Sequence, residues 1–321
     1  RSGGPLRNST AGEGCIMTIG VGIIGMGVIS HYYLKAFERK QACRLVAVCD
    51  KAPARLQAYV DSPSVRTYGD YHSLLEDPLV DAVVINLPNN LHFQACIDAL
   101  KAGKHVCCEK PLTLDLEQAE QLRDMARRLN LTLLTAFHRR YNTYLINAVE
   151  HDVFAQAVHV RARYHERIED HAGQDTWYLN AAACGGGCIA DNGPNVFDTL
   201  HVAVGPLRVV NLQVRHGETG IDLGANISLV TPQGLAVSAE LSWDYALGEQ
   251  KDLVVTYADG TTATVDLLQD SAGFKTSLYH EYEGVLAHLA SSIQGLAEDG
   301  TMGVEAVRLV RDCYAMTRSP A

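Results

Sequence analysis

No stretch of about 18 consecutive apolar residues occurs in the chain, so the sequence offers no candidate for a membrane-spanning helix. Clustered positive charge is missing too. The 27 Lys and Arg are outnumbered by 37 Asp and Glu, a formal net charge of -10. Affinity for nucleic acid or anionic lipid needs dense Lys and Arg, so neither is an expected partner. Nor is there a cysteine framework: the nine cysteines are odd in number and scattered among apolar neighbours, as reduced thiols in a cytoplasmic protein are. Cys184 and Cys188 flank Gly185, Gly186 and Gly187 without a second Cys or His pair at ligand spacing, so no metal is expected. Internal repeats and low-complexity tracts are absent. Residues 1–17 carry no apolar stretch of the kind a signal peptide needs and are expected to be a disordered leader or cloning scar. These features together lead to an expected cytoplasmic location.

What is present suits two domains, since roughly 150 residues make an ordinary one. Residues 18–139 alternate helical patterns with short runs rich in Val, Ile and Leu, at Ile19–Ile24, Arg44–Cys49, Ala82–Ile85, His105–Cys108 and Thr132–Ala136. Runs with little polar alternation fit parallel strands covered on both faces, which predicts an α/β domain with a doubly wound Rossmann sheet. Helices are expected at His92–Ala102, stopped by Gly103, and at Leu116–Leu129, where Asp115 and Gln118 have capping spacing. Residues 140–321 change to longer alternating strands, at Ala157–Tyr164, Val209–Arg215, Ile227–Thr231, Leu235–Leu241, Leu253–Tyr257 and Thr262–Leu267. Tight turns are expected at Pro232-Gln233-Gly234 and Asp259-Gly260. With closing helices at Thr276–Leu296 and Val304–Met316, this half reads as an α+β domain with a mostly antiparallel open sheet. Its helices suffice for one face only. The other is expected to meet a partner subunit in a homodimer or homotetramer, with a polar, wet face as the open alternative.

Gly25-Met26-Gly27-Val28-Ile29-Ser30 follows the first strand and opens the first helix, the setting in which such a pattern binds a dinucleotide. Gly25 permits the tight turn, Gly27 lets a pyrophosphate approach the backbone, and the helix N-terminus offers N–H groups to the phosphates. Ser30 stands where a third Gly or Ala is usual and is small enough for close packing. Asp50 ends the second strand, placed to accept hydrogen bonds from the adenosine ribose and to repel a 2′-phosphate. That favours NAD, while Lys51 and Arg55 beside it leave NADP open.

Three further segments carry chemistry. They are Leu87-Pro88-Asn89-Asn90-Leu91-His92, Gly103-Lys104-His105-Val106-Cys107-Cys108-Glu109-Lys110-Pro111, and the Gly-rich run from Gly185 to Asp198. With the glycine loop they resemble the glucose–fructose oxidoreductase, inositol dehydrogenase and rhizopine-catabolism (Gfo/Idh/MocA) family, over nearly all of the chain after the leader. The resemblance implies an NAD(P)-dependent oxidoreductase. Around its cofactor, Met26, Val28, Ile29, Leu87, Pro88, Asn89, His92, Glu109 and Lys110 join Gly25, Gly27 and Asp50, and Arg140, in an Arg-aromatic signature between the domains, is expected as a structural or cofactor contact. It also makes Lys110 the group that takes the substrate's hydroxyl proton. Chemistry agrees: hydride loss from a secondary alcohol needs a base, and a desolvated amine beside a cationic ring can be neutral near about pH 7.

Members of that family carry an Asp and, four residues later, a His in the Gly-rich segment. Asp191 matches the first, but Asn195 stands in the second position. Asn does not titrate near neutrality, so Lys110 is expected to carry proton transfer alone while Asp191 and Asn195 position the hydroxyl. His165, Arg167 and Trp177 occupy a stretch where family members place substrate contacts. Each also has a plain reading, the first two as solvated strand-end residues and Trp177 as core. The expected function is hydride transfer between nicotinamide and a secondary hydroxyl of a sugar, cyclitol, aminocyclitol or sugar derivative. Two rivals stay open on sequence: an NAD-dependent glycosidase on the same scaffold, and a dinucleotide-binding regulator without turnover.

Overall fold

Runs that are apolar throughout become strands buried on both faces: every residue of β1 (Ile19–Ile24), β4 (Ala82–Ile85) and β6 (Leu133–Ala136) is buried. They join β2 (Cys43–Cys49), β3 (Arg66–Tyr68) and β5 (His105–Glu109) in one parallel sheet of order β3-β2-β1-β4-β5-β6. The order reverses between β1 and β4, which opens a crevice at their carboxyl ends. The structure is a computed structural model describing residues 18–39, 43–172, 176–270, 274–295 and 301–317; the expected leader lies outside them. Helices α1 (Ser30–Phe37), α2 (His92–Lys101) and α3 (Leu116–Leu129) serve as crossovers. The Asp115 carboxylate accepts the Gln118 N–H at 3.1 Å, the cap expected from their spacing. Sequence reading missed β3, whose three half-exposed residues are too short to show a period.

The second sheet has the order β12-β11-β7-β10-β9-β8, with only β7 and β10 parallel. Its strands are β7 (Ala157–His165), β8 (Arg208–His216), β9 (Asp222–Val230), β10 (Ala236–Ser242), β11 (Gln250–Tyr257) and β12 (Thr262–Asp266). Both expected hairpins form, with Gly234 and Gly260 in the left-handed region at their turns. One face of the sheet is covered by α5 (Cys188–Val204), which follows α4 (Thr143–Glu150) in the chain and is buried from Cys188 to Leu200. The opposite face is polar. On it β7 presents His159, Arg161, Arg163 and His165, and Arg163 pairs with Asp252 at 2.7 Å.

The chain crosses from one sheet to the other through a short helical turn, His138–Tyr141. Arg139 there is fully buried and pairs with Glu281 at 2.7 Å. Glu281 belongs to α6 (Phe274–Ile293), which with α7 (Met302–Thr317) returns to the first sheet. Leu278, Tyr282, Val285 and Leu289 of α6 share a core with Ile23, Tyr33 and Val84, and Val304 and Val307 of α7 share one with Val106 and Leu122. The division expected between residues 139 and 140 therefore follows chain order, while the packing crosses it.

Candidate active site

The crevice is a cleft of about 480 Å³ running from the glycine loop to the second sheet. At one end Gly25, with φ +94°, makes the tight turn, and a Cβ there would stand 2.6 Å from the Asn86 carbonyl oxygen. A Cβ at Gly27 would meet nothing within 4 Å, so the missing side chain leaves open space beside the N-terminus of α1. No side chain caps that terminus; the Ser30 hydroxyl turns back to donate to the Gly27 carbonyl at 2.6 Å. Asp50 accepts the N–H groups of Met26 at 2.9 Å and Ala52 at 2.8 Å, with the Arg55 guanidinium at 3.3 Å. Asn86, at the end of β4, has neither side-chain oxygen nor nitrogen hydrogen-bonded among the described residues. Open backbone, uncapped helix and an unsatisfied amide are what a dinucleotide requires, so these residues fit NAD.

The midpoint of the cleft is built by two segments held together. His92 is fully buried, with its ring nitrogens 2.7 Å from the Pro111 carbonyl and 2.8 Å from the Leu87 carbonyl. It ties the loop after β4 to the turn that carries Lys110. Burial lowers its pKa, against the two carbonyls, which pull it up. Asn89 donates to the Cys184 carbonyl at 3.0 Å and links the same loop to the Gly-rich segment. There the Asp222 carboxylate accepts the Gly187 and Ile189 N–H groups at 2.9 and 2.8 Å, anchoring the first turn of α5.

That turn brings Asp191 to Lys110. The Lys110 ammonium donates to Asp191 Oδ1 at 2.6 Å and to the Asp191 carbonyl at 3.0 Å. Burial pushes the Lys110 pKa down, but the Asp191 charge and hydrogen bond outweigh it, and the net shift is upward. Next to it, burial drives the Glu109 carboxyl up to about 7 against the opposing pull of Lys110 and of the Tyr33 hydroxyl, which donates to it at 3.0 Å. Burial also pushes His138 down to about 4, despite its bond to Glu281. Asn195 is 3% exposed, lines the cleft, and its Oδ1 has no hydrogen-bond partner among the described residues.

Most residues singled out from sequence meet in this cleft: Gly25, Gly27, Val28, Ile29, Asp50, Leu87, Pro88, Asn89, His92, Glu109, Lys110, Trp177, Asp191 and Asn195. Four do not. Met26 turns its side chain into the core of the first domain and offers only its N–H, to Asp50. Arg140 is occupied by the buried Asp198 on α5, while His138, two residues earlier, faces the cleft. His165 and Arg167 point away, His165 packing at a tilt against Tyr245 with ring centroids 4.9 Å apart and Arg167 remaining half exposed. The reason is alternation: on a strand, successive side chains take opposite faces, so Tyr164, Glu166 and Ile168 line the cleft instead. Asn86, Tyr32 and Tyr282 also line it. Only the end-of-strand position of Asn86 signalled this in the sequence.

Residues 19–137 match the family described as "Oxidoreductase family, NAD-binding Rossmann fold", and residues 144–271 match the "GFO/IDH/MocA C-terminal domain". Over 125 residues, 38% of this chain, the sequence is 38% identical to an inositol 2-dehydrogenase/D-chiro-inositol 3-dehydrogenase of Lactiplantibacillus plantarum, spanning only 36% of that protein. It is 24% identical to a 1,5-anhydro-D-fructose reductase of Ensifer adhaerens over 94% of this chain and 96% of the relative. The fold matches the WlbA dehydrogenase of Bordetella pertussis, solved with NADH and UDP-GlcNAcA, at a TM-score of 0.79 and 19% identity, covering 94% of this chain and 96% of that one.

Proposed function

This chain belongs to the Gfo/Idh/MocA oxidoreductase family, its N-terminal domain being the family's NAD-binding Rossmann fold, and on that premise we propose that it is a dehydrogenase of a polyhydroxy compound. The substrate is a sugar, cyclitol, aminocyclitol or sugar derivative bearing a secondary hydroxyl. What supports the reading is the contact of Lys110 and Asp191 at 2.6 Å, in the same cleft as the glycine loop and Asp50. NAD, when bound, supplies the hydride acceptor. Lys110 takes the hydroxyl proton in oxidation and returns it in reduction. Asp191 holds the ammonium in place, and the Asn195 oxygen accepts a hydrogen bond from the reacting hydroxyl, a positioning role that needs no titration.

The two relatives named above are a dehydrogenase and a reductase, and neither name points to a glycosidase or a regulator. The proposal extends to a cytoplasmic homo-oligomer joined through the polar face of the second sheet. Absorbance of reduced nicotinamide across a panel of sugars, cyclitols and aminocyclitols tests the reaction. A glycosidase releases sugar without accumulating NADH, and a regulator turns over nothing. Lys110→Ala is expected to lower turnover by roughly 10²–10⁴-fold while leaving NAD binding largely intact. Wild-type rates in that variant would remove Lys110 from the mechanism.

A further inference from the structure

Besides Asp191 and Glu109, the cleft contains a further buried carboxylate that the reaction above does not use. Glu166 follows β7, is 4% exposed and lines the cleft with Tyr164 and Ile168. The ammonium of the fully buried Lys251, on β11, donates to its Oε2 at 2.6 Å, and the Asn192 amide donates to its Oε1 at 2.9 Å. Asn192 is the chain neighbour of Asp191, so the first turn of α5 braces both carboxylates. Removing either partner of such a buried pair strands a charge, which fixes Glu166 in one orientation.

Several acceptors meet at this end of the cleft. The Asp191 and Glu166 carboxylates accept from their lysines, and the Asn195 oxygen lacks a donor among the described residues. The cations near them are engaged, Lys110 by Asp191 and Lys251 by Glu166. The lining histidines His92 and His138 are both held toward the neutral form by burial. A ligand here must bring donors rather than further negative charge, and hydroxyl groups do that.

We propose that Glu166 is a specificity-determining residue that accepts a hydrogen bond from a substrate hydroxyl away from the reacting carbon. By the same account, this end of the cleft selects uncharged polyhydroxy rings over carboxylated or phosphorylated ones. The proposal rests on the dehydrogenase reading for which end of the cleft takes substrate.

Calorimetric titration of the NAD-loaded protein tests it with myo-inositol, D-glucose, the monodeoxyglucoses, D-glucuronate and D-glucose 6-phosphate as probes. At least one uncharged ring should bind, with the two charged sugars about tenfold or more weaker. Glu166→Gln should weaken the uncharged ring by about tenfold while NAD affinity holds, and one deoxyglucose should show no such penalty because it lacks the contacted hydroxyl. Should that variant fold poorly, Glu166→Gln with Lys251→Met removes the ion pair without stranding an ammonium and is read in the same way. Equal binding of glucuronate and glucose, a penalty identical for every deoxyglucose, or no binding of either uncharged ring overturns the proposal. Binding is read without turnover. NADH formation without any Glu166 dependence therefore sinks this proposal alone, and Glu166-dependent binding without NADH formation sinks the dehydrogenase reading alone.

Discussion

At Lys110 two opposed influences act on one proton. Burial favours the neutral amine and Asp191 favours the ammonium, and the ammonium prevails. A base must be unprotonated to act, so a raised pKa moves the rising limb of the oxidation rate toward higher pH; reduction, which uses the ammonium as acid, falls over the same range. Asp191→Asn removes what raises the pKa and leaves the burial that lowers it. The rising limb of kcat/KM for oxidation should then move to lower pH even as the maximal rate drops, and a profile that stays put or moves upward would show that Asp191 does not control this proton. Asp50 was legible in the sequence because its place at the end of the second strand has a mechanical reason, and Lys110 and Asp191 only through the family resemblance of the segments that carry them. His165 and Arg167 were misassigned for want of one fact, the face of β7 that meets the cleft. Glu166 between them was missed by the same one-residue shift, and for Arg140 the structure takes the structural side of its reading, through Asp198, 58 residues away.

Among the elements, the Rossmann strands were readable because burial on both faces forces unbroken apolar runs. The helix that carries Asp191 was not. A run with Gly185, Gly186, Gly187, Gly193 and Pro194 has the composition of a loop, and Pro194 within it lacks the N–H of an internal helical bond. Tertiary contacts override that preference: α5 is buried along most of its length, and Asp222 satisfies its first N–H groups. Asp222 itself opens a strand that begins five residues before the expected Ile227. The glycine loop separates fold from function at two positions. Gly25→Ala meets both a left-handed φ and the Asn86 carbonyl, and should lower stability by about 1–3 kcal/mol in denaturant titration. Gly27→Val enters open space, so the melting temperature should hold while NAD affinity falls by about tenfold or more. A Gly27→Val protein that binds NAD normally would mean that the phosphates lie elsewhere.

For the molecule as a whole, the second sheet leaves one broad face without a covering layer among the described residues. Strand alternation in the sequence foretold the two-sidedness but not what meets the outer side, since polar residues there suit both water and a wet interface. Sedimentation velocity should give a mass above that of one chain, and Val254→Glu, beside Arg161 on that face, should shift it toward the monomer. A monomeric wild type would leave the face to solvent. The paths of α6 and α7 were foreseen as helices, but their destination was not, because amphipathic periodicity tells which side of a helix is buried and not against which sheet.

Because α6 supplies Tyr282 and Leu289 to the layer beneath the glycine loop and Glu281 to the crossover, the nucleotide-binding unit is assembled from both extremes of the described chain. It cannot be excised as a free-standing module. A polypeptide cut short after β12 would retain the whole glycine loop and still present a bare apolar flank, so grafting this cofactor site onto another protein requires transplanting the distal helices along with it.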